Sequence, residues 1–205
     1  MKKLVIMAAF ALSSATMFAQ QAVGTWSVTP KVGMNIANIT DSEADSRLGL
    51  AAGAEVEYQV TDMVSVTAGA LYSMQGSKEK DGGVTATFKL DYINVPILAN
   101  VYVAKGLAVK LGIQPAFNVS SKFNVKGLGQ EFTADVKDGI KTFDISIPVG
   151  ISYEYMNFVI DARYNWGLTN VEKNKTLVVA GEIFEFGGKG KNSVFQITLG
   201  YKIPF

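Results

Sequence analysis

The sequence contains no cysteine and no histidine. Without cysteine, the chain forms no disulfide and has no thiol nucleophile or thiolate metal ligand. Without histidine, it lacks the imidazole base of Ser-His catalysis and the commonest zinc ligand. These two absences exclude many enzyme and metalloprotein classes, so we expect no enzymatic activity, no cofactor and no metal site.

Charge and long apolar runs are also scarce. Charged residues make up 18% of the chain and the formal net charge is +1, so no long-range field attracts nucleic acid, and we expect no nucleic-acid partner. Beyond residue 20, no segment approaches the roughly 18 consecutive apolar residues of a membrane helix. Because 48% of the residues are nevertheless hydrophobic, they must be distributed in another pattern.

The first twenty residues have the layout of a secretory signal peptide. Lys2 and Lys3 precede an apolar run from Leu4, and small residues lead to Ala19 and Gln20. We predict that residues 1–20 are a signal peptide cleaved after Ala19 or Gln20, and that residues 21–205 form one domain. An uncleaved anchor is the alternative.

The remaining chain alternates between apolar and small or polar residues with a period of two. Such alternation is typical of β-strands whose two faces meet different surroundings. Eight runs of this kind begin at Trp26, Leu48, Val64, Ile93, Leu107, Ile145, Phe158 and Phe195. At roughly ten to thirteen residues each, they suit tilted strands that cross a bilayer and exceed the usual strand length of soluble sheets.

The connections between these runs alternate in length. The second, fourth and sixth are tight (residues 61–63, 104–106 and 156–157), and the others are long and polar. This asymmetry is typical of outer-membrane barrels, and aromatic residues at the run ends resemble two interfacial girdles. We predict an all-β fold, an eight-stranded antiparallel up-and-down transmembrane β-barrel in the outer membrane, with periplasmic termini and extracellular long loops. A soluble lipocalin-like carrier of apolar ligands is the alternative.

Two stretches resemble known outer-membrane proteins. The run FQITLGYKIPF resembles the C-terminal insertion signal of Gram-negative barrels, which implies the barrel-insertion machinery as a partner. Its alternating residues are Ile197, Leu199, Tyr201, Ile203 and Phe205. The run DYINVPILANVYV, from Asp91, resembles the central strand pair of the PorT-like outer-membrane beta-barrel domain family. That resemblance implies a fold and a location, but no particular activity.

The strand phases assign eight charged residues to the barrel interior. They are Lys31, Glu55, Glu57, Lys110, Glu154, Asp161, Arg163 and Lys202. Four bases balance four acids there, and the interior of an eight-stranded barrel is just wide enough for side chains to fill it. We therefore predict a plugged polar lumen, with a narrow transport channel as the alternative.

The long connections are the expected recognition elements. Phe123, Phe132, Phe184 and Phe186 lie in two of them, where they either anchor a partner or pack together as a lid. We predict a structural or binding scaffold that acts through its extracellular loops. The expected surroundings are outer-membrane lipid and lipopolysaccharide, and an extracellular or envelope protein is a further expected partner.

Overall fold

The computed structural model describes residues 21–40, 44–127, 130–173, 175–179, 182–186 and 188–205, with backbone only for residues 175–179 and 182–186. The predicted signal peptide lies outside the described residues. Among the residues that are described, no helix is long and apolar enough to cross a membrane.

The described chain consists almost entirely of β-strands. They are β1 (Trp26–Ile39), β2 (Asp45–Gln59), β3 (Val64–Asp81), β4 (Val84–Asn94), β5 (Ile97–Ala104), β6 (Leu107–Gly127), β7 (Gln130–Asp135), β8 (Phe143–Tyr155), β9 (Phe158–Asn170), β10 (Lys175–Val179), β11 (Glu182–Phe186), β12 (Lys191–Tyr201) and β13 (Ile203–Pro204). A single 3-10 turn, Lys137–Gly139, separates β7 from β8.

The strands close into a ring of antiparallel neighbours. Along the described chain the ring has eight positions. β4 and β5 together occupy one position, and β12 and β13 together occupy another. The order around the ring is β1, β2, β3, β4/β5, β6, β8, β9 and β12/β13. β12 returns to β1, where Lys31 lies opposite Gly200 and Ile39 opposite Asn192. β4 and β5 are separated at residues 95–96, because Pro96 has no N–H to donate to the ladder. The predicted eight-stranded antiparallel up-and-down barrel is confirmed.

The two faces of the ring are reversed relative to a soluble domain. In β5, Leu98, Asn100 and Tyr102 are buried inside the ring, whereas Ile97 and Val101 are exposed on the outside. The other strands repeat this pattern, with exposed aliphatic side chains outside and buried amides, hydroxyls and charges inside. An outer surface of this composition requires an apolar solvent.

One end of the ring carries tight turns. The β8–β9 turn is made by Met156 and Asn157, both with positive φ (47° and 70°), as a two-residue hairpin requires. Aromatic residues surround both ends of the outer face. Ring centroids of Trp26 and Tyr58 lie 4.7 Å apart near the tight turns, and those of Phe117 and Phe143 lie 5.7 Å apart towards the long connections.

At the other end, several strands extend further than the sequence predicted. β3 runs to Asp81 and β4 begins at Val84, so the third connection is a hairpin that turns at Gly82 and Gly83 rather than a long loop. β6 likewise continues to Gly127 and pairs with β7. Residues 76–89, 121–127 and 130–135 thus form a four-stranded protruding sheet, in the order β3, β4, β6, β7. The alternation predicts that β3 ends at Met74 and β6 at Val119. These ends are wrong because the extensions carry polar residues on one face, which resemble loop composition.

Candidate functional site

The middle of the lumen holds a cluster of five buried charges, which we call the central cluster. Alternation along β1, β2, β6 and β9 turns Lys31, Glu55, Lys110, Asp161 and Arg163 inward. Glu55 contacts Lys31 Nζ through Oε2 at 2.6 Å and Arg163 Nη2 through Oε1 at 2.8 Å. Asp161 contacts Lys110 Nζ through Oδ2 at 2.7 Å and Arg163 Nε through Oδ1 at 2.8 Å. The cluster therefore ties four strands together across the lumen.

A second cluster, which we call the turn-end cluster, lies nearer the tight turns. Lys202 Nζ contacts Glu154 Oε2 at 2.7 Å and Glu57 Oε2 at 3.0 Å. The Tyr102 hydroxyl donates to Glu57 Oε1 at 2.5 Å, and the Ser65 hydroxyl donates to the same oxygen at 2.6 Å. Lys202 and Tyr102 are buried, whereas the Glu154 side chain is 27% exposed at the mouth.

The two clusters compensate each other in charge. The central cluster has three cations and two carboxylates, and the turn-end cluster has one cation and two carboxylates. The eight groups together are neutral, which is the condition under which buried charges are tolerated. A cavity of about 10 Å³ lies between the clusters, and this volume admits about one water molecule.

A layer of amides and hydroxyls lies above the central cluster, towards the long connections. Asn35 Nδ2 donates to Ser73 Oγ at 2.9 Å, and Gln75 Nε2 donates to the same oxygen at 3.0 Å. On the adjoining strands β9 and β12, Asn165 Nδ2 donates to Gln196 Oε1 at 3.2 Å, and Gln196 lies directly beside Asn35 of β1. This layer fills the lumen with neutral hydrogen-bonded groups.

The long-connection end is closed by an apolar lid. The lid consists of the buried residues Leu90, Tyr92, Ala116, Ile140 and Val171, with Ile39 and Phe88 packed against them. Backbone hydrogen bonds hold its two connecting segments together, from Lys141 N to Val171 O (2.9 Å) and from Lys173 N to Gly139 O (2.8 Å). Sequence reasoning missed this lid, because Ile140 and Val171 lie in polar connections with no periodic signal.

Two further charged residues, Asp144 and Arg47, lie in the lumen but are not among the eight predicted there. Asp144 accepts from Asn192 Nδ2 at 2.7 Å, and Arg47 donates from Nη1 to the Gln75 carbonyl oxygen. Both are buried. Asp144 occupies an inward-facing position in the alternation of its run, so the alternation could have assigned it to the lumen. Arg47 could not be assigned in this way, because it precedes the run that begins at Leu48.

The predicted insertion-signal residues lie on the outer face. Ile197, Leu199, Tyr201 and Ile203 are each 40–50% exposed, and Phe205 is 74% exposed. The Phe205 N–H donates to the Trp26 carbonyl oxygen at 2.9 Å. Their role in insertion stays a prediction.

Of the four loop phenylalanines, Phe123 and Phe132 are not among the buried residues of the lid, although Phe123 contacts its edge. Phe123 packs against Phe88 with ring centroids 6.3 Å apart, and Phe132 is 66% exposed on β7. Phe184 and Phe186 belong to β11, and their side chains lie outside the described part of the structure. Within the described residues, no group of three or more potential metal ligands is present, so we assign no metal ligands there.

Residues 18–173 match the family described as outer membrane protein beta-barrel domain. The chain belongs to this family. The barrel is therefore a small integral protein of the outer membrane, and its apolar outer face is the surface that meets lipid. The soluble-carrier alternative is wrong, because its apolar face would have to line the lumen.

Similar solved structures include several small barrels. Ail of Yersinia pestis, solved in complex with the heparin analogue sucrose octasulfate, has a TM-score of 0.50 at 13% identity, covering 89% of this chain and 100% of that one. Neisserial surface protein A has a TM-score of 0.48 at 14% identity, covering 87% and 97%. OprG of Pseudomonas aeruginosa has a TM-score of 0.43 at 12% identity, covering 91% and 99%. No curated protein matches in sequence.

Proposed function

We propose that the protein is an outer-membrane scaffold whose lumen is closed to solutes and whose long connections provide a binding surface. The observation that carries this proposal is the filling of the lumen at successive heights by the turn-end cluster, the central cluster, the amide layer and the lid. A transport path through the barrel would have to displace all of them.

The charged clusters make such displacement costly. Separating Arg163 from Glu55 would leave buried charges unpaired, and breaking a buried pair typically costs about 3–5 kcal/mol. Because Arg163 is shared between Glu55 and Asp161, opening the central cluster breaks several contacts together. This coupling favours a static plug over a gate.

Conductance in planar bilayers tests the closed lumen directly. We expect no current steps from the purified protein under conditions in which an open porin, inserted in parallel, conducts. Folding is checked on an SDS gel, where a closed barrel changes mobility on heating. Reproducible steps from protein that shows this heat-dependent shift would refute the plug and favour the narrow channel.

We propose that the tight turns face the periplasm and the protruding sheet faces the exterior, as the loop asymmetry of such barrels suggests. Because the chain has no cysteine, single cysteines report orientation cleanly. A membrane-impermeant maleimide added to intact cells should label Phe132→Cys and leave Lys105→Cys, at a tight turn, unlabelled. The reverse pattern would invert the assignment.

We propose that the ligand of the scaffold binds at the long connections, with Phe132 as one contact. Its 66% exposure outside the bilayer is unusual for a phenylalanine with no described aromatic partner. Ail was solved with a heparin analogue, so sulfated glycans belong in a binding screen beside envelope and host proteins. Phe132→Ser should weaken capture of a true ligand, whereas a ligand retained equally by this variant binds elsewhere.

We propose that the C-terminal run is read by the barrel-insertion machinery. Phe205→Ser should reduce the folded protein in the outer membrane more than Tyr155→Ser, which alters another exposed aromatic residue near the tight turns. Equal yields from both variants would reject a special role.

The resemblance of residues 91–103 also leads us to propose a PorT-like barrel. The absence of histidine and cysteine favours a non-enzymatic role.

A further inference from the structure

The two faces of the protruding sheet differ sharply in chemistry. Residues directly opposite one another in antiparallel strands share a face. One face carries Val84, Ala86, Phe88, Phe123, Val125 and Phe132, and it continues the inward face of the ring. The other face carries Lys78, Lys80, Lys89, Lys122 and Lys126, and it continues the lipid-facing side.

Two of these lysines lie directly opposite each other. Lys89 on β4 pairs with Lys122 on β6, and Gly76 is the neighbour of Lys89 on β3. Like charges opposite each other are unfavourable in a sheet. Gly76 has a φ of 114°, and a Cβ there would lie 2.0 Å from the Phe88 carbonyl oxygen, so no side chain covers the pair from this strand.

Two nearby acidic residues accept hydrogen bonds from other groups. Asp135, across from Lys122, accepts from the Lys137 N–H at 2.9 Å, and Asp91 accepts from the Tyr72 hydroxyl at 2.9 Å. Among the described residues, no carboxylate lies within ion-pair distance of Lys89 or Lys122.

The remaining acid on the lysine-bearing face, Glu131, pairs with Lys126 at 3.0 Å, whereas Glu79 and Asp81 lie on the other face of the sheet. Side-chain hydrogen bonds from Lys126 and Asn124 lower the pKa of the Glu131 carboxyl, so this group is ionised and occupied. Glu131 attracts Lys89 only at longer range, and Asp135 lies across from Lys122 without forming an ion pair with it. The Lys89–Lys122 pair is therefore two adjacent cations that no described carboxylate contacts.

The position of Lys89 and Lys122 relative to the lipid-facing aromatic girdle indicates the source of their counter-ion. Lys89 lies four residues beyond Ile93, which pairs with Phe117 of the lipid-facing girdle. Four residues correspond to about 13 Å along a strand, and tilt reduces the height above the girdle. Long lysine side chains bend towards the interface, which brings both ammonium groups to the headgroup layer of the outer leaflet.

A third ammonium group lies at the same interface. Lys137 Nζ donates to the carbonyl oxygen of Val119, a residue that is 41% exposed on the lipid-facing side of β6. Cations from β4, β6 and the 3-10 turn thus converge on one sector of the barrel surface.

We propose that Lys89 and Lys122, with Lys137 beside them, form a binding site for the phosphates of an outer-leaflet glycolipid, lipid A of lipopolysaccharide. This site is on the outer wall of the barrel and does not depend on what the loops bind or on whether the lumen conducts, but it rests on the proposed orientation in which the protruding sheet faces the exterior. It would fix the rotation of the barrel in the membrane and hold the protruding sheet at a defined height.

Titration of the folded protein in detergent micelles with bisphosphorylated lipid A, followed by native mass spectrometry, tests the site. At roughly 1 kcal/mol for each lysine near an anionic surface, affinity should fall about fivefold for each lysine removed, and about 25-fold in Lys89→Gln/Lys122→Gln. Lys89→Arg/Lys122→Arg should keep the affinity. Lys105→Gln/Lys189→Gln is the matched control, since it removes the same charge from exposed positions away from the pair.

Each outcome decides for or against the site. Equal lipid A affinity of the Gln variant and the wild type would overturn it, and so would equal binding of dephosphorylated lipid A by the wild type. If the Gln variant loses heparin binding or inorganic phosphate binding but keeps lipid A, the pair is a soluble-anion site and the lipid assignment is wrong. The heat-dependent mobility shift verifies that every variant is folded.

Discussion

Arg163 Nη2 lies 2.8 Å from Glu55 Oε1, although 108 residues separate the two in the chain. Glu55 is on β2 and Arg163 on β9, two strands that are not neighbours in the ring. The contact therefore spans the lumen, and it links the first strands of the barrel to the last.

Replacing Glu55 by Met should destabilise the barrel by about 3–5 kcal/mol, because Arg163 and Lys31 then lose a buried counter-ion. The double variant Glu55→Met/Arg163→Met should recover much of this loss, since it restores the net charge of the central cluster. Urea unfolding in detergent micelles measures both. A double variant less stable than the single one would contradict the pairing.

Removing the Tyr102 hydroxyl should cost about 1–3 kcal/mol, because the buried Glu57 carboxylate loses a donor. Tyr102→Phe makes this change without altering packing. Tyr58→Phe is the control, since the Tyr58 hydroxyl makes no hydrogen bond to the described residues and its ring stacks on Trp26. The same unfolding assay compares them, and equal effects would argue against the turn-end cluster.

Truncating Ile140 should loosen the lid without unfolding the ring. Ile140→Ala creates a cavity worth about 2 kcal/mol or more, which corresponds to about 30-fold faster local exchange. Hydrogen exchange should show this at the amides of Lys141 and Lys173, which bond across the lid. Amides within the ring strands serve as internal controls, and uniform acceleration there would show that the lid is not a separate unit.

An arginine on the lipid-facing surface should be far more costly than one on the protruding sheet. Ile151 is 54% exposed in mid-strand and Phe132 is 66% exposed on β7. Ile151→Arg should lose about 2–4 kcal/mol in bilayers, whereas Phe132→Arg should change stability by about 0.5 kcal/mol or less. Refolding into phospholipid vesicles measures this difference. Similar losses would place β7 within the membrane.

Much of the architecture follows from periodicity alone. The alternation from Leu107 to Val119 assigns inner and outer faces whatever the partners are, because successive side chains in a strand point in opposite directions. Tight turns such as Met156 and Asn157 are visible for a similar reason, since their chemistry is local. The extents of β3 and β6 were mispredicted where these strands continue beyond the apolar outer band and carry polar residues.

The sequence by itself determined the barrel, the orientation of its faces and the excess of small polar residues inside it. Only the tertiary structure decided that Arg163 meets both Glu55 and Asp161, that Lys202 meets Glu57 and Glu154, and that Ile140 and Val171 close one end. Periodicity assigns a residue to a face, but a contact across the lumen depends on the height at which each strand is registered against the others. That height is set by the closed ring of backbone hydrogen bonds, which no local stretch of sequence contains.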